Sequence, residues 1–242
     1  MIPDGWKHIL ALEGEQKAKM RAALESLLRA RKLDVTLTSA PGSLAPPPER
    51  LAPIPGCPDL EAALGGGLRR GHLSEITGLA SSGGTRVAVD AMAAAAARGE
   101  AVALVDACDT FDPASAAARG LDLSHVLWVR GTGDASRALK AFSLILQAGG
   151  FGLVVLDLAD VPAAALRRFP WYWTSSTWMR LSRIVEGSDT VALLVASEHV
   201  ARSSGGATIA LGPSTTRWQG DAHRARVFAG VEPAPRVVGA RL

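Results

Sequence analysis

The sequence has few of the residues that build disulfide-linked or metal-binding domains. It contains two cysteines, Cys57 and Cys108, and its five histidines are scattered. Two distant thiols form no disulfide framework, and their spacing matches no metal-ligand motif. We therefore expect a reduced, cytoplasmic protein with no metal or other cofactor.

Long apolar runs and a strong charge of one sign are also missing. The most apolar stretches are much shorter than the roughly 20 residues of a membrane-spanning helix. The first residues, MIPDGWKHIL, lack a basic segment followed by an apolar one, so no signal peptide is expected. The formal net charge of +3 is compatible with a nucleic-acid or acidic-protein partner but does not require one.

Apolar residues are plentiful, because 48% of the 242 residues are hydrophobic. This is enough for one domain with a substantial core. From residue 60 onward, short apolar runs alternate with helical patterns, which predicts an α/β fold with a mostly parallel sheet covered by helices on both faces. The predicted strands are 72–78, 101–107, 126–130, 153–158 and 190–197.

The two ends of the chain differ from this pattern. Residues 208–212 and 224–230 predict further strands that extend the sheet in antiparallel orientation. Upstream, residues 1–35 contain an amphipathic helix (13–32), and the proline-rich segment 36–58 predicts a linker to the core domain 59–242. The apolar stripe of the helix either packs on its own domain or docks on another protein. Its residues are Met20, Leu24, Leu27 and Leu28.

A glycine-rich turn after the first strand carries the strongest chemical signal. Residues 78–85, GLASSGGT, fit G-x-x-x-x-G-K-[ST] except that Gly84 stands at the lysine position. The backbone amides could still bind an anion, with Thr85 near Mg²⁺, or the turn could serve only close packing. Arg86 is expected to point away from the loop. The candidate loop residues are Gly78, Ser81, Ser82, Gly83, Gly84 and Thr85.

The surrounding sequence resembles the RecA recombinase family. GGGLRRGHLSEITG (65–78) is similar to the family's approach to the phosphate loop, and its S-S-G follows at 81–83. DA at 106–107 and FDP at 111–113 are similar to the next strand and helix. The resemblance extends to about residue 200 and implies a RecA-like fold with C-terminal antiparallel strands. It also makes Asp157 the Walker-B carboxylate, although a turn-capping role fits this position equally.

Departures from the family pattern are as informative as the matches. The family's water-activating glutamate corresponds to Cys108, and its nucleotide-sensing glutamine corresponds to Glu198. Together with Gly84, these changes imply a protein that does not turn over ATP. The second DNA-binding loop looks shortened to about 199–208, and no separate C-terminal domain is expected.

A short RecA-like chain with these losses resembles the ImuA-type accessory proteins of translesion-synthesis mutagenesis cassettes. The resemblance implies a role in the DNA-damage (SOS) response. It also implies contacts with a RecA-family recombinase and an inactive Y-family-like polymerase subunit of the ImuB type, with DNA as a further candidate. The alternatives are a SulA-like cell-division inhibitor, a weak nucleotide-binding ATPase and a DNA-binding module.

Aromatic and basic residues supply candidate contact surfaces. The densest aromatic region falls where the family's first DNA-binding loop would lie, and a basic tail follows Glu198. Arginine beside aromatic rings suits base stacking or a protein interface, but the aromatic residues also fit a core helix and the basic ones a solvated face. The candidates are Arg167, Arg168, Trp171, Tyr172, Trp173, Trp178, Arg224 and Arg226.

Overall fold

The computed structural model describes residues 53–55, 58–167, 175–201, 205–220 and 226–240. All of them belong to one compact unit, Glu49–Leu242. Several predicted features lie outside the described residues, namely the amphipathic helix, most of the linker, the aromatic segment 168–174 and Arg224. Across the described ranges, no helix has both the length and the apolar character needed to cross a membrane.

Nine strands occur in the described residues, and seven of them form the central sheet. Their order is β3-β2-β4-β5-β1-β6-β9, in which every pairing is parallel except that of β6 with β9. The remaining two, β7 and β8, pair with each other in a separate antiparallel ribbon. The strands are β1 (Leu73–Thr77), β2 (Val102–Asp106), β3 (Val126–Arg130), β4 (Leu153–Asp157), β5 (Val191–Ala196), β6 (Gly205–Leu211), β7 (Thr215–Gln219), β8 (Val227–Glu232) and β9 (Pro235–Ala240).

Helices connect the parallel strands and begin at recognisable caps. The Asp112 side chain accepts hydrogen bonds from Ala114 and Ser115, and Asp134 does the same for the residues that open the helix after β3. A side-chain oxygen at this position satisfies backbone N–H groups that have no partner inside the helix. The helices are α1 (Pro58–Leu64), α2 (Gly84–Ala96), α3 (Pro113–Ala118), α4 (Ala135–Ala148), α5 (Ala163–Arg167) and α6 (Ser175–Val185), with a 3₁₀ turn at Leu123–His125.

The core has two layers, one on each face of the sheet. One contains buried residues of α1 and α2, and the other contains buried residues of α4 and α6. The central strands β2 and β5 are buried along their whole length, as expected for parallel strands with helices on both sides. Ile54, near the end of the predicted linker, is also buried and exchanges backbone hydrogen bonds of 2.9 and 2.8 Å with Leu68.

The five predicted parallel strands are confirmed to within about a residue at each end. The predicted C-terminal antiparallel strands are confirmed, because β6 pairs antiparallel with β9 and β7 with β8. The placement predicted for the last two segments is wrong in detail. Residues 208–212 fall largely in β6, which runs parallel to β1, and residues 224–230 overlap β8, which lies in the ribbon and not in the central sheet. The antiparallel strand on the central sheet is β9, the partner of β6.

A buried carboxylate explains why β6 is parallel despite a short connection. Strands β5 and β6 flank β1, so the chain between Ala196 and Gly205 has to cross β1. Glu75, 1% exposed in the middle of β1, accepts hydrogen bonds from the backbone N–H groups of Val200 (2.7 Å) and Ala201 (2.9 Å). His199 Nδ1 also lies within hydrogen-bond distance of this carboxylate. Parallel connections normally need a dozen or more residues, and Glu75 holds this shorter one against the sheet.

Replacing Glu75 tests this role. Glu75→Ala leaves one buried N–H group, of Ala201, and one half-buried N–H group, of Val200, without their acceptor, and it is expected to lower the free energy of unfolding by about 3 kcal/mol. Glu75→Gln keeps one acceptor oxygen and is expected to lose less. Urea denaturation measures both, with Glu186→Ala, an exposed glutamate just after α6, as the control. Equal stability of Glu75→Ala and the unmodified protein would contradict the assignment.

Candidate phosphate-loop site

The glycine-rich loop begins directly after β1 at the carboxyl edge of the sheet. Gly78 N–H donates to the Ala196 carbonyl (3.2 Å), which ties the loop to the end of β5, and Ser82 N–H donates to Leu79 (3.0 Å). Ser81 and Gly83 have positive φ angles of 65° and 94°. Gly83 is the residue before α2 and has the left-handed conformation that glycine adopts without steric cost. The strand, loop and helix therefore follow one another as the sequence predicted.

A cavity of about 430 Å³ adjoins the loop. Its lining comprises the loop, the start of α2, the chain after β4, the end of β5 and one ribbon residue, Val231. Two charged residues, Arg86 and Asp160, border it. The guanidinium of Arg86 lies near the ribbon, because a Cβ atom added at Gly230 would be 3.9 Å from Arg86 Nη1, and the orientation of Arg86 away from the loop stays a prediction. Arg86 also lies near Asp90, with 3.8 Å between Nε and Oδ2.

Gly84 stands where the phosphate-loop motif has a lysine, in a close-packed part of the loop. A Cβ atom added there would lie 3.2 Å from Val195 Cγ1 and 3.7 Å from Leu211 Cδ1. A side chain at this position would start against the apolar ends of β5 and β6. Glycine thus lets the helix start pack closely on the sheet, which is the structural role that the sequence left open.

The C-terminal part of the chain contacts the loop directly. Ser214, just before β7, donates a hydrogen bond from its hydroxyl to the Ser81 carbonyl (3.1 Å). Pro233, which joins β8 to β9, is buried, and a Cβ added at Gly83 would lie 3.0 Å from its Cβ. These contacts could not be predicted from the sequence, because neither Ser214 nor Pro233 belongs to a motif and both are distant from the loop in the chain.

Asp157 ends β4 directly opposite Asp106 at the end of β2. Burial, together with the nearby carboxylates of Asp106 and Asp160, raises the pKa of Asp157 to about 6, although a hydrogen bond from Ala159 N–H (2.9 Å) opposes the shift. This bond is the turn-capping contact that the sequence allowed. Asp157 does not line the cavity beside the loop, although Ala159 and Asp160 do.

Cys108 occupies the position of the family's glutamate in a tightly held turn. Asp106 fixes this turn by accepting hydrogen bonds from the N–H groups of Thr110 (3.1 Å) and Phe111 (2.9 Å). Burial raises the pKa of the Cys108 thiol, and the surrounding carboxylates raise it further. The thiol therefore stays protonated at neutral pH and is a poor nucleophile.

The part of the chain that the structure describes contains no cluster of His, Cys, Asp and Glu able to hold a metal ion.

The other predicted site residues are dispersed. Glu198 is half-buried just after β5 and, like Cys108, is not among the residues that line the loop cavity. Trp178 is 0% exposed and packs in the core with α4, so its prediction as a partner-binding residue is wrong. It shares one face of α6 with Leu181 and Val185, a helical spacing that points into the core. Arg226 is exposed at the start of the ribbon, in keeping with its place among the surface candidates.

A strand, a glycine-rich turn and a helix at the carboxyl edge of a parallel sheet define a phosphate-loop-type α/β domain. Residues 52–167 match the model of the RecA N-terminal domain. Protein RecA of Lactobacillus delbrueckii is 34% identical over 167 residues, covering 63% of this chain and 46% of that relative. Protein RecA of Chlorobaculum tepidum is 40% identical over 110 residues, covering 44% of this chain and 32% of that relative.

Residues 52–167 are thus similar to the RecA N-terminal domain, and the strand order and helices agree with a RecA-like α/β fold. The chain spans less than half the length of both RecA relatives. Among solved structures, the RadB recombinase is similar with a TM-score of 0.49 and 20% identity, over 63% of this chain and 79% of that one.

The raised pKa of Asp157 predicts that replacing this carboxyl by the neutral amide of Asn increases the stability of the protein in a pH-dependent way. Below the ordinary carboxyl pKa of 3.8, Asp157 is protonated in both the folded and the unfolded protein. As the pH rises through about 6, the folded protein loses the stability that the neutral carboxyl contributes. Asp157→Asn should therefore be nearly neutral at acid pH and should stabilise by up to about 3 kcal/mol above pH 7. Urea midpoints at both pH values measure this, and a pH-independent difference would contradict it.

Trp178 and its neighbour Met179 form a matched pair for testing core burial. Trp178→Ala removes a fully buried ring and is expected to lower the free energy of unfolding by about 3–5 kcal/mol. Met179, 48% exposed on the same helix, should change stability by less than about 0.5 kcal/mol when replaced by Ala. Thermal or urea unfolding measures both substitutions. Similar effects at the two positions would argue against a core role for Trp178.

Proposed function

We propose that this chain is a non-catalytic RecA-like accessory protein of DNA-damage-induced mutagenesis. It acts in the cytoplasm during translesion synthesis as part of the SOS response, and it works through protein contacts. Its partners in this proposal are a RecA-family recombinase and an ImuB-type polymerase-associated subunit. The RecA likeness supports the connection to DNA repair and recombination, and the substitutions at Gly84, Cys108 and Glu198 support the accessory role.

The observation that carries the non-catalytic part is the combination of Gly84 and Cys108 at positions where the family has a lysine and a glutamate. A transition state that gains negative charge on phosphate oxygens needs a cation and a base close to the nucleophile. Gly84 supplies neither group, and the Cys108 thiol is held protonated by its surroundings. Pro233 against Gly83 and Ser214 on Ser81 give the loop a second use as a structural contact for the C-terminal segment.

A weak ATPase remains the specific rival, because Arg86 borders the same cavity as the loop. In that case Arg86 would provide the positive charge that Gly84 does not. The two functions differ in what Arg86 contributes to nucleotide binding, so a substitution at this residue separates them.

Calorimetric titration with Mg-ATP, together with a phosphate-release assay, tests the proposal. We expect affinity about ten- to a hundredfold weaker than that of a RecA protein in the same buffer, and no turnover, because one charge-assisted hydrogen bond is missing. Gly84→Lys should recover part of the affinity without turnover. The rival ATPase would be established by micromolar binding together with turnover that Arg86→Gln abolishes. The exposed control Arg137→Gln would leave that turnover unchanged.

The partner part of the proposal is tested by affinity capture from DNA-damaged cells with the full chain. The bait should recover a RecA-family recombinase and a polymerase-associated subunit. Leu24→Asp with Leu28→Asp, on the apolar stripe of the predicted helix, should weaken capture at least about tenfold if that stripe is the contact. Glu25→Lys, off the stripe, is the control. Capture of the tubulin-like division protein instead would favour the SulA-like alternative.

A further inference from the structure

A groove lies between α4 and α6, on the face of the sheet opposite the phosphate-loop helix α2. The two helices pack against each other and belong to the second core layer, whereas α2 belongs to the first. The groove encloses a cavity of about 420 Å³. None of the residues that line it also lines the cavity beside the phosphate loop, so the two cavities are separate sites.

The groove has an apolar floor and a basic rim. Leu139 and Leu181 are buried, and Ile184 is half-buried. Lys140 of α4 and Arg180 of α6 are exposed and line the same cavity. The described lining includes no aspartate or glutamate. The groove is therefore complementary to a ligand that has an apolar stripe with carboxylates beside it.

Apolar side chains continue beyond the cavity on both helices. Leu144, one helical turn after Lys140, is 66% exposed, and Met179, beside Arg180, is 48% exposed. Scattered exposed apolar residues are common, but these two extend the apolar surface of one groove. A groove of this kind between two helices is the surface on which an amphipathic helix lays its apolar face.

The charge and composition of the groove decide between the possible occupants. The predicted helix 13–32 has an apolar stripe, but its six Lys and Arg residues outnumber its three Glu residues, so its charge does not complement a basic rim. Single-stranded nucleic acid binds largely by stacking on aromatic rings, and the described lining contains none. An acidic amphipathic helix matches both the floor and the rim.

We propose that the groove between α4 and α6 binds an acidic amphipathic helix of a partner protein. The apolar stripe of that helix packs on Leu139, Leu181 and Ile184, and its carboxylates pair with Lys140 and Arg180. This inference goes beyond the proposed accessory role, because it assigns a contact to a face that the role leaves without one. The contact involves neither the phosphate loop nor the predicted helix 13–32.

Fluorescence anisotropy with the full chain and a pair of designed peptides tests the proposal. The acidic peptide is an amphipathic helix of about 18 residues with leucine along one stripe and glutamate on both sides of it. The basic peptide has lysine in place of every glutamate. At low salt the acidic peptide should bind at least about tenfold more tightly, and added salt should reduce this difference. Equal affinity for the two peptides, or no binding of the acidic one, would overturn the proposal.

Charge reversal on the rim tests the assigned residues. Lys140→Glu and Arg180→Glu should each weaken binding of the acidic peptide about tenfold, because each loses a charge-assisted hydrogen bond. Each should also bind the basic peptide more tightly than the unmodified protein does, a gain that damage to the fold could not produce. The control is Arg137→Glu, since Arg137 is exposed on α4 outside the lining and already pairs with Asp134 (3.3 Å). A loss of equal size at Arg137 would contradict the assignment.

Filling the groove tests its location without changing its charge. Ser143 is half-buried in the lining, and Ser143→Trp should abolish binding of the acidic peptide while thermal unfolding shows that the protein remains folded. Two results would assign the groove to another occupant and refute the proposal. One is self-association, measured by sedimentation, that Lys140→Glu abolishes. The other is binding of an oligothymidylate that both Lys140→Glu and Ser143→Trp abolish.

Discussion

The buried carboxylate of Glu75 is the interaction on which the rest of the C-terminal architecture depends. It lies in β1, between the two strands that the short connection joins, and holds the backbone of Val200 and Ala201 across the sheet. Without this contact the crossover would carry buried N–H groups with no acceptor, which is costly in an apolar core. With it, β6 runs parallel to β1 and delivers the ribbon and β9 to the edge that holds the phosphate loop.

The phosphate loop consequently has contacts on both sides. Its start is tied to the end of β5 through Gly78, and its helix end packs against Pro233. The residues nearest the loop combine an arginine, an aspartate and apolar groups, whereas Asp157 and Cys108 lie off the cavity lining. The Asp157 carboxyl, with a pKa of about 6, and the protonated Cys108 thiol are held by hydrogen bonds and burial that serve the fold. In the proposed function, contacts and not chemistry carry the activity of such a scaffold.

Local patterns predicted the parallel core well because each strand has its own signature. The five apolar runs from 72–78 to 190–197 are short, lie between helical patterns and match β1 to β5 closely. The strand, loop and helix at Gly78–Thr85 were equally predictable from glycine spacing. Trp178 was mistaken for a contact residue because an aromatic cluster in sequence does not reveal which face of its helix meets the sheet.

The sequence by itself determined the α/β class, the position of the phosphate loop and the substitution at Gly84, since these depend on hydrophobic periodicity and on residues adjacent in the chain. Only the tertiary structure decided that β6 is parallel, that β7 and β8 form a separate ribbon, and that Pro233 and Ser214 meet the loop. The first and the last of these features arise from hydrogen bonds and packing between residues more than a hundred positions apart. Such contacts depend on how the whole sheet closes, and no local pattern encodes them.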